Sequence, residues 1–204
     1  EAVPGSSHGY DVTDPTEVRE ALGGREGFNA LADACRSAGL SLVLDIVPNH
    51  LATHEANPIW WDVLRLGEGS RWSGVLDIDW ASSGDLVLPV LGDHYGRELE
   101  AGTLVLTRGD RPDRVMVVRH HERAFPLRPE AEGAILAEVA RGADDDVLWV
   151  AARLLARAER PGELAAERDA DLVVAGRTVI GRLADPAVTA ALDAELAAIT
   201  ADPD

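Results

Sequence analysis

Lysine is absent from this sequence, so all 19 basic side chains are arginine, set against 36 acidic ones. The formal net charge of −17 repels phosphate backbones and anionic lipid. Nucleic acid and membrane surfaces are therefore excluded as expected partners, and neutral or cationic ones favoured. Cysteine occurs once, at Cys35, so no intrachain disulfide can form. A chain without disulfides suits a reducing compartment, and the cytoplasm is the expected location. Cys35 falls in a stretch of helical apolar spacing and reads as a small buried hydrophobe, not a catalytic thiol. No apolar run is long enough to span a bilayer, and no basic segment leads into an apolar one as in a signal peptide. The first residue is Glu1, so a segment upstream of it would not be visible. What is present is a hydrophobic share of 46% over 204 residues, enough to bury the core of one or two domains and to exclude disorder as the default.

Along the chain, Pro4-Gly5-Ser6-Ser7 and Asp14-Pro15-Thr16 are turn chemistry with no periodic apolar face. Phe28, Leu31, Ala32 and Cys35 then recur at helical spacing, and Gly39 is a good residue to end a helix, which predicts a helix from Arg25 to Ala38. Next comes Leu40-Ser41-Leu42-Val43-Leu44-Asp45-Ile46-Val47, closed by Pro48. A nearly continuous apolar run of this length is how a parallel strand buried on both faces reads. Helix, short turn and buried strand form the repeating unit of α/β folds, in a barrel or a doubly wound sheet.

Beyond His50 the pattern changes. A short helix is expected from Pro58 to Leu66, with proline in its first turn, then loop from Ser73 to Trp80. Leu86 to Leu91, Leu104 to Thr107 and Arg114 to Arg119 read as strands. Helices are expected over Glu130 to Arg141, Asp144 to Ala158 and Asp185 to Thr200. Leu172 to Leu183 is ambiguous, because Val173, Val174, Val179 and Ile180 favour a strand while their surroundings are helical.

The segment from Leu44 to His50 places Asp45 inside an apolar strand and Pro48-Asn49-His50 at its C-terminal end. A buried carboxylate there is costly unless it is hydrogen-bonded. Strand C-terminal ends are also where parallel α/β folds handle ligands. Two readings stand side by side: a ligand site, or an aspartate that caps a neighbouring backbone beside an ordinary Asn-His turn.

The string Asp45-Ile46-Val47-Pro48-Asn49-His50 resembles the first conserved region of the α-amylase superfamily, glycoside hydrolase family 13, at the end of the third barrel strand. Upstream, Ser6-Ser7-His8-Gly9-Tyr10-Asp11-Val12-Thr13-Asp14-Pro15, followed by Leu22-Gly23-Gly24-Arg25-Glu26-Gly27-Phe28, is similar to the loop and helix after that family's second strand. Asn57-Pro58-Ile59-Trp60-Trp61-Asp62-Val63-Leu64, Gly69-Ser70-Arg71-Trp72, Asp77-Ile78-Asp79-Trp80, Leu88-Pro89-Val90-Leu91-Gly92 and Phe125-Pro126-Leu127 resemble the family's trehalose-forming branch. The fold this implies is of the α/β class. Residues 1–57 would be a partial (β/α)8 TIM barrel, comprising the loop after strand 2, helix 2 and strand 3. Residues 58–204 would be a long, mixed and mostly helical insertion, with short strands in 85–120 and helices in 130–204.

The resemblance implies that Tyr10 borders or stacks on the sugar ring at the reacting linkage and that His50 hydrogen-bonds its hydroxyls. It makes Asp45 an organiser of the site. Asn49 corresponds to a position that binds calcium in many amylases but not generally in the trehalose-forming relatives, so neither metal nor cofactor is expected. The implied substrate is a maltooligosaccharide. Its reducing-end α-1,4 linkage would become α,α-1,1 by intramolecular transglycosylation, through an aspartate nucleophile and a glutamate acid/base. Both carboxylates are expected outside this chain, after the fourth and fifth strands, so the partner it needs is the rest of its own catalytic barrel. A closed barrel takes about 250 residues, and the chain alone is expected to be inactive.

His8 reads either as a member of the same site or as a solvated loop histidine. Trp60 and Trp61 could stack on sugar, though at helical spacing at least one must point inward. In His120-His121-Glu122, neighbouring histidines on a strand would point to opposite faces, so a solvated strand end is expected there, not a metal site. Two alternatives to the trehalose-forming reading remain: another glycosidase or glucosyltransferase of the superfamily, or a non-catalytic glucan-binding module.

Overall fold

The computed structural model describes residues 1–83, 86–158 and 165–202. The chain divides into two compact units, Glu1–Trp61 and Asp62–Asp204. Residue 85, where the short-strand region was expected to begin, and residues 203–204, where the helical region was expected to end, lie outside the described residues.

In the first unit a 3-10 turn, Glu20–Leu22, leads into helix α1, Gly24–Ser37, within a residue of expectation at each end. Gly39, at φ 70°, follows the last turn in the left-handed region that stops a helix. Phe28, Ala32 and Cys35 are only half-buried and Leu31 is exposed, so Cys35 is not the fully buried hydrophobe its spacing suggests. Helix α2, Pro58–Leu66, begins where its proline predicts. Asn57 caps it, its Oδ1 accepting from the Ile59 and Trp60 amides at 3.0 and 3.2 Å. Trp61 is buried and Trp60 half-buried, so one of the pair does point inward.

The expected strand at 40–47 is a correction. Residues 40–47 carry no regular secondary structure, and Leu40, Leu42, Val43, Leu44 and Ile46 are all exposed, Val43 at 93%. Asp45 is exposed with them. A parallel strand exists only through its neighbours' N–H and C=O groups. The described residues supply no such neighbours, since their sheet has three strands and all of them lie beyond residue 100.

The second unit holds two short helices, α3 (Trp80–Ser83) and α4 (Tyr95–Glu100), then strands β1 (Leu104–Arg111), β2 (Arg114–His120) and β3 (Arg123–Pro126) in an antiparallel sheet of order β1-β2-β3. The β1–β2 register slips between Arg108 and Arg111. Gly109 sits at the slip, where a Cβ would lie 1.6 Å from the Arg114 carbonyl oxygen. The strand expected over Leu86 to Leu91 does not form. Its alternation survives, with Leu86, Leu88 and Val90 half-buried and Val87 exposed. The Val90 amide, however, turns back on the Leu88 carbonyl at 2.9 Å, and Pro89 brings no N–H to a ladder.

Four helices complete the unit: α5 (Pro129–Ala143), α6 (Asp146–Leu155), α7 (Ala165–Arg182) and α8 (Pro186–Ala201). Their core is one cluster in which Leu136 and Val139 of α5, Leu148 and Leu155 of α6, Leu172 and Val179 of α7, and Leu192 and Leu196 of α8 meet Val115 and Met116 of β2. The ambiguous stretch at Leu172 is helix throughout. Leu172, Ala175 and Val179 share the buried stripe while Val173 and Val174 face out, so packing on one face overrides the β-branched preference. Gly176 lets α7 approach the β1–β2 turn, where a Cβ would meet the Pro112 carbonyl oxygen at 1.9 Å.

Asp145 caps α6 through the Leu148 amide, at 3.0 Å, and pairs with Arg182 at 2.7 Å. Burial alone would raise its pKa. The amide bonds and the guanidinium outweigh burial and hold it below the ordinary range. A carboxyl depressed on folding stabilises the fold above its unfolded pKa, roughly 4, and loses that contribution as pH falls below it. Asp145→Ala should lower unfolding stability by about 1–2 kcal/mol in urea titrations near neutral pH. Asp145→Asn should keep much of the cap and make stability less sensitive to pH below about 4. The exposed apolar run at 40–46 predicts concentration-dependent self-association of the chain in light scattering. Val43→Asp should reduce it, and an unaltered chain that stays monomeric would contradict this.

Candidate functional site

Several polar side chains of the first unit gather on one loop near the N-terminus. The Ala2–Val12 β-bridge closes it, helped by the Val3 amide donating to Asp11 O at 3.0 Å and the Thr13 amide to Glu1 O at 2.9 Å. Inside it the Ser6 hydroxyl donates to Asp11 Oδ1 at 2.5 Å, and Arg19 reaches in to the Ser6 carbonyl at 3.1 Å. That first bond leads the causes that hold the Asp11 carboxyl below its usual range. Gly9, at φ 78°, has a backbone a side chain would resist, and it sets the direction of the next residue.

That residue is Tyr10. Its hydroxyl donates to Asp45 Oδ2 at 2.6 Å, joining two motifs 35 residues apart. The bond, and then the carboxylate's charge, raise the Tyr10 pKa, so the phenol stays protonated and donating. The ring is 45% exposed and lies nearly parallel to His8, 5.8 Å between centroids and 24° between planes. His8 Nδ1 accepts the Tyr10 amide at 3.0 Å, which fixes that ring too. Two flat faces are thus presented to solvent, anchored from behind by polar bonds.

His50 lies against Asn49, Nδ1 to Oδ1 at 3.1 Å, and both are exposed. The structure therefore brings together Tyr10, Asp45 and His8 in one group and Asn49 with His50 in another, and no hydrogen bond joins Asp45 to His50 among the described residues. The chain after His50 is tied to the Tyr10 loop through the Ala52 amide, which donates to Val12 O at 2.7 Å. Asn57 Nδ2 braces the same place, donating to Ala52 O at 2.9 Å. Ser6, Asp11, Arg19 and Asn57 are the supports that reading for chemistry alone passes over; only the local spacing of short polar side chains hints at the first two.

A second polar cluster lies in the other unit and corrects an expectation. His120 is not a solvated strand end: it is 4% exposed, with Nε2 3.2 Å from Glu98 Oε2. Glu98 is likewise buried, and its carboxylate collects the Thr103 hydroxyl, the His120 ring and the Gly92 and Asp93 amides. The Thr103 bond leads the causes that outweigh burial and bring its pKa to about 2. Elsewhere in the unit, burial raises the Glu132 pKa against the opposing pull of Arg65, 2.5 Å away.

Comparison with known proteins bears on the first unit most directly. The family profile described as the α-amylase catalytic domain matches residues 2–60. A Mycobacterium tuberculosis protein assigned as a maltooligosyl trehalose synthase is 50% identical over 94 residues, 45% of this chain and 12% of that protein. A crystal structure of maltooligosyl trehalose synthase superposes with a TM-score of 0.57 at 30% identity, covering 62% of this chain and 17% of that one. A glycosyltrehalose synthase structure gives 0.54 at 31%, covering 71% and 18%. The chain thus spans less than a fifth of each of these relatives, and among the described residues no helix is long and apolar enough to cross a membrane. With its two motifs meeting at Tyr10 and Asp45, the chain is similar over residues 2–60 to the α-amylase catalytic domain, and over a larger part of its length to maltooligosyl trehalose synthases.

Proposed function

We propose that the Tyr10–Asp45 loop is one wall of an α-glucan site in an enzyme of trehalose formation. That enzyme would convert the reducing-end α-1,4 linkage of a maltooligosaccharide to α,α-1,1 by intramolecular transglycosylation. The observation that carries this is the Tyr10 hydroxyl bonded to Asp45, which anchors an exposed aromatic face from behind. A pyranose offers a flat C–H face and a rim of hydroxyls, so it needs one aromatic plane and several fixed polar groups. Tyr10 supplies the plane, with His8 beside it. His50 and Asn49 supply polar groups for the rim. Asp45 holds Tyr10 in place and meets the sugar only through it.

The pair of carboxylates that breaks and remakes the glycosidic bond would come from sequence beyond this chain, after further barrel strands. Those same strands would flank residues 40–47, giving their N–H and C=O groups the partners a parallel strand needs and covering Val43 and its neighbours. On this reading residues 1–57 are a piece of a (β/α)8 barrel and 58–204 an insertion to it. The strings shared with the trehalose-forming branch favour this over a hydrolytic relative. The exposed apolar run favours it over a free-standing glucan-binding module, which would have no use for an uncovered strand.

The 204-residue chain incubated with maltopentaose should form no maltooligosyl trehalose, and detectable product would refute the assignment of the carboxylates elsewhere. In the longer enzyme carrying this segment, Tyr10→Phe keeps the ring but frees it from Asp45. The kcat/KM for maltooligosyl trehalose formation should then fall by about 10- to 100-fold through misplacement of the sugar. An unchanged rate would remove Tyr10 from the site.

A further inference from the structure

His120 ends β2 and His121 is the first of two residues turning into β3, with His120 paired to Arg123 across the turn. Simple alternation along a strand would send the two rings to opposite faces. His121 instead has a φ of 53°, in the left-handed region that favours glycine, and the rings close to 4.3 Å between centroids. One ligand atom from each of Glu98, His120 and His121 lies within 4.8 Å of the other two.

We propose that Glu98, His120 and His121 form a binding site for a divalent transition-metal ion of the zinc class, which clamps α4 to the β2–β3 turn. Two imidazoles and a carboxylate suit zinc far better than calcium or magnesium, which take oxygen ligands. Two of the three ligands are buried and already oriented. Glu98 Oε1 accepts from the Gly92 and Asp93 amides at 3.0 and 2.8 Å, and Oε2 accepts from the Thr103 hydroxyl. Carboxylates held in this way by a surrounding set of donors are characteristic of metal sites. Oε2 also lies 3.2 Å from His120 Nε2. An ion roughly 2.1 Å from both atoms would subtend about 100° between them, close to tetrahedral. The ion takes the place of the proton on Nε2.

His121 is exposed, so the ion arrives from solvent on its side and keeps water in a fourth position. The chain's net charge of −17 raises the local concentration of any divalent cation. The positive φ of His121 is the backbone that a two-residue hairpin turn asks of its first residue. It leaves the His121 ring beside that of His120, where both can reach one ion.

The test is titration of the 204-residue chain with Zn2+ by calorimetry, paired with Co2+ substitution read as visible absorption. The result expected is one equivalent bound, with the band of a four-coordinate cobalt site. Affinity should weaken by about tenfold or more, and the band vanish, in His121→Ala. His121→Gly should lose affinity equally while unfolding at higher denaturant in the absence of metal, because the turn is relieved of strain. Both substitutions fall on an exposed turn residue, and circular dichroism checks that the fold persists. No zinc binding by the unaltered chain would overturn the proposal. So would affinity unchanged in the two His121 variants, which would assign the ion to His8, His50, His54 or His94.

Discussion

The hydrogen bond from the Tyr10 hydroxyl to the Asp45 carboxylate is the contact on which the candidate site depends. The loop from Ala2 to Asp14 aims Tyr10, and this bond ties it to the chain from Leu40 to His50. Between exposed groups such a bond is worth little as stability. Its value lies in position: one rotamer of an aromatic ring is selected, and a carboxylate is given a fixed neighbour. Ser6, Asp11 and Arg19 hold the loop, while Ala52 and Asn57 fix the segment beyond His50.

What the sequence made legible follows the range of the interactions involved. Helices such as α1, α2, α5 and α8 are set by spacing, caps and proline within a single stretch, and they lie where their residues put them. The strand at 40–47 was not legible in this way, because a parallel strand is a property of its neighbours. Apolar content tells what a segment needs, not whether this chain provides it. Leu86 to Val90 shows the same limit on a smaller scale: its alternation is obeyed, but Pro89 and the turn at Val90 keep it out of a sheet. In α7 the opposite happened, and a buried stripe of Leu172, Ala175 and Val179 decided what β-branched composition left ambiguous.

The candidate site was legible in its parts. Tyr10, Asp45, His8, Asn49 and His50 stand out by motif, and the structure joins the first three. That Asp45 is exposed and that His50 turns to Asn49 could not be read from spacing, since both depend on what covers the strand. His120 was hidden for a related reason. Its burial depends on what packs over the strand end, and that is set by Glu98, not by its own strand. Its buried partner Glu98 is 22 residues away on a helix of six residues, too short to announce itself by periodicity.

The Arg65–Glu132 pair is buried, with both side chains less than a tenth exposed. A guanidinium or a carboxylate left there alone would be a stranded charge, whereas two well-fitting hydrocarbon side chains would be tolerated. The two positions are therefore yoked in descent: relatives should keep both ions or neither. A chimera that took α2 from one homologue and α5 from another would inherit the mismatch.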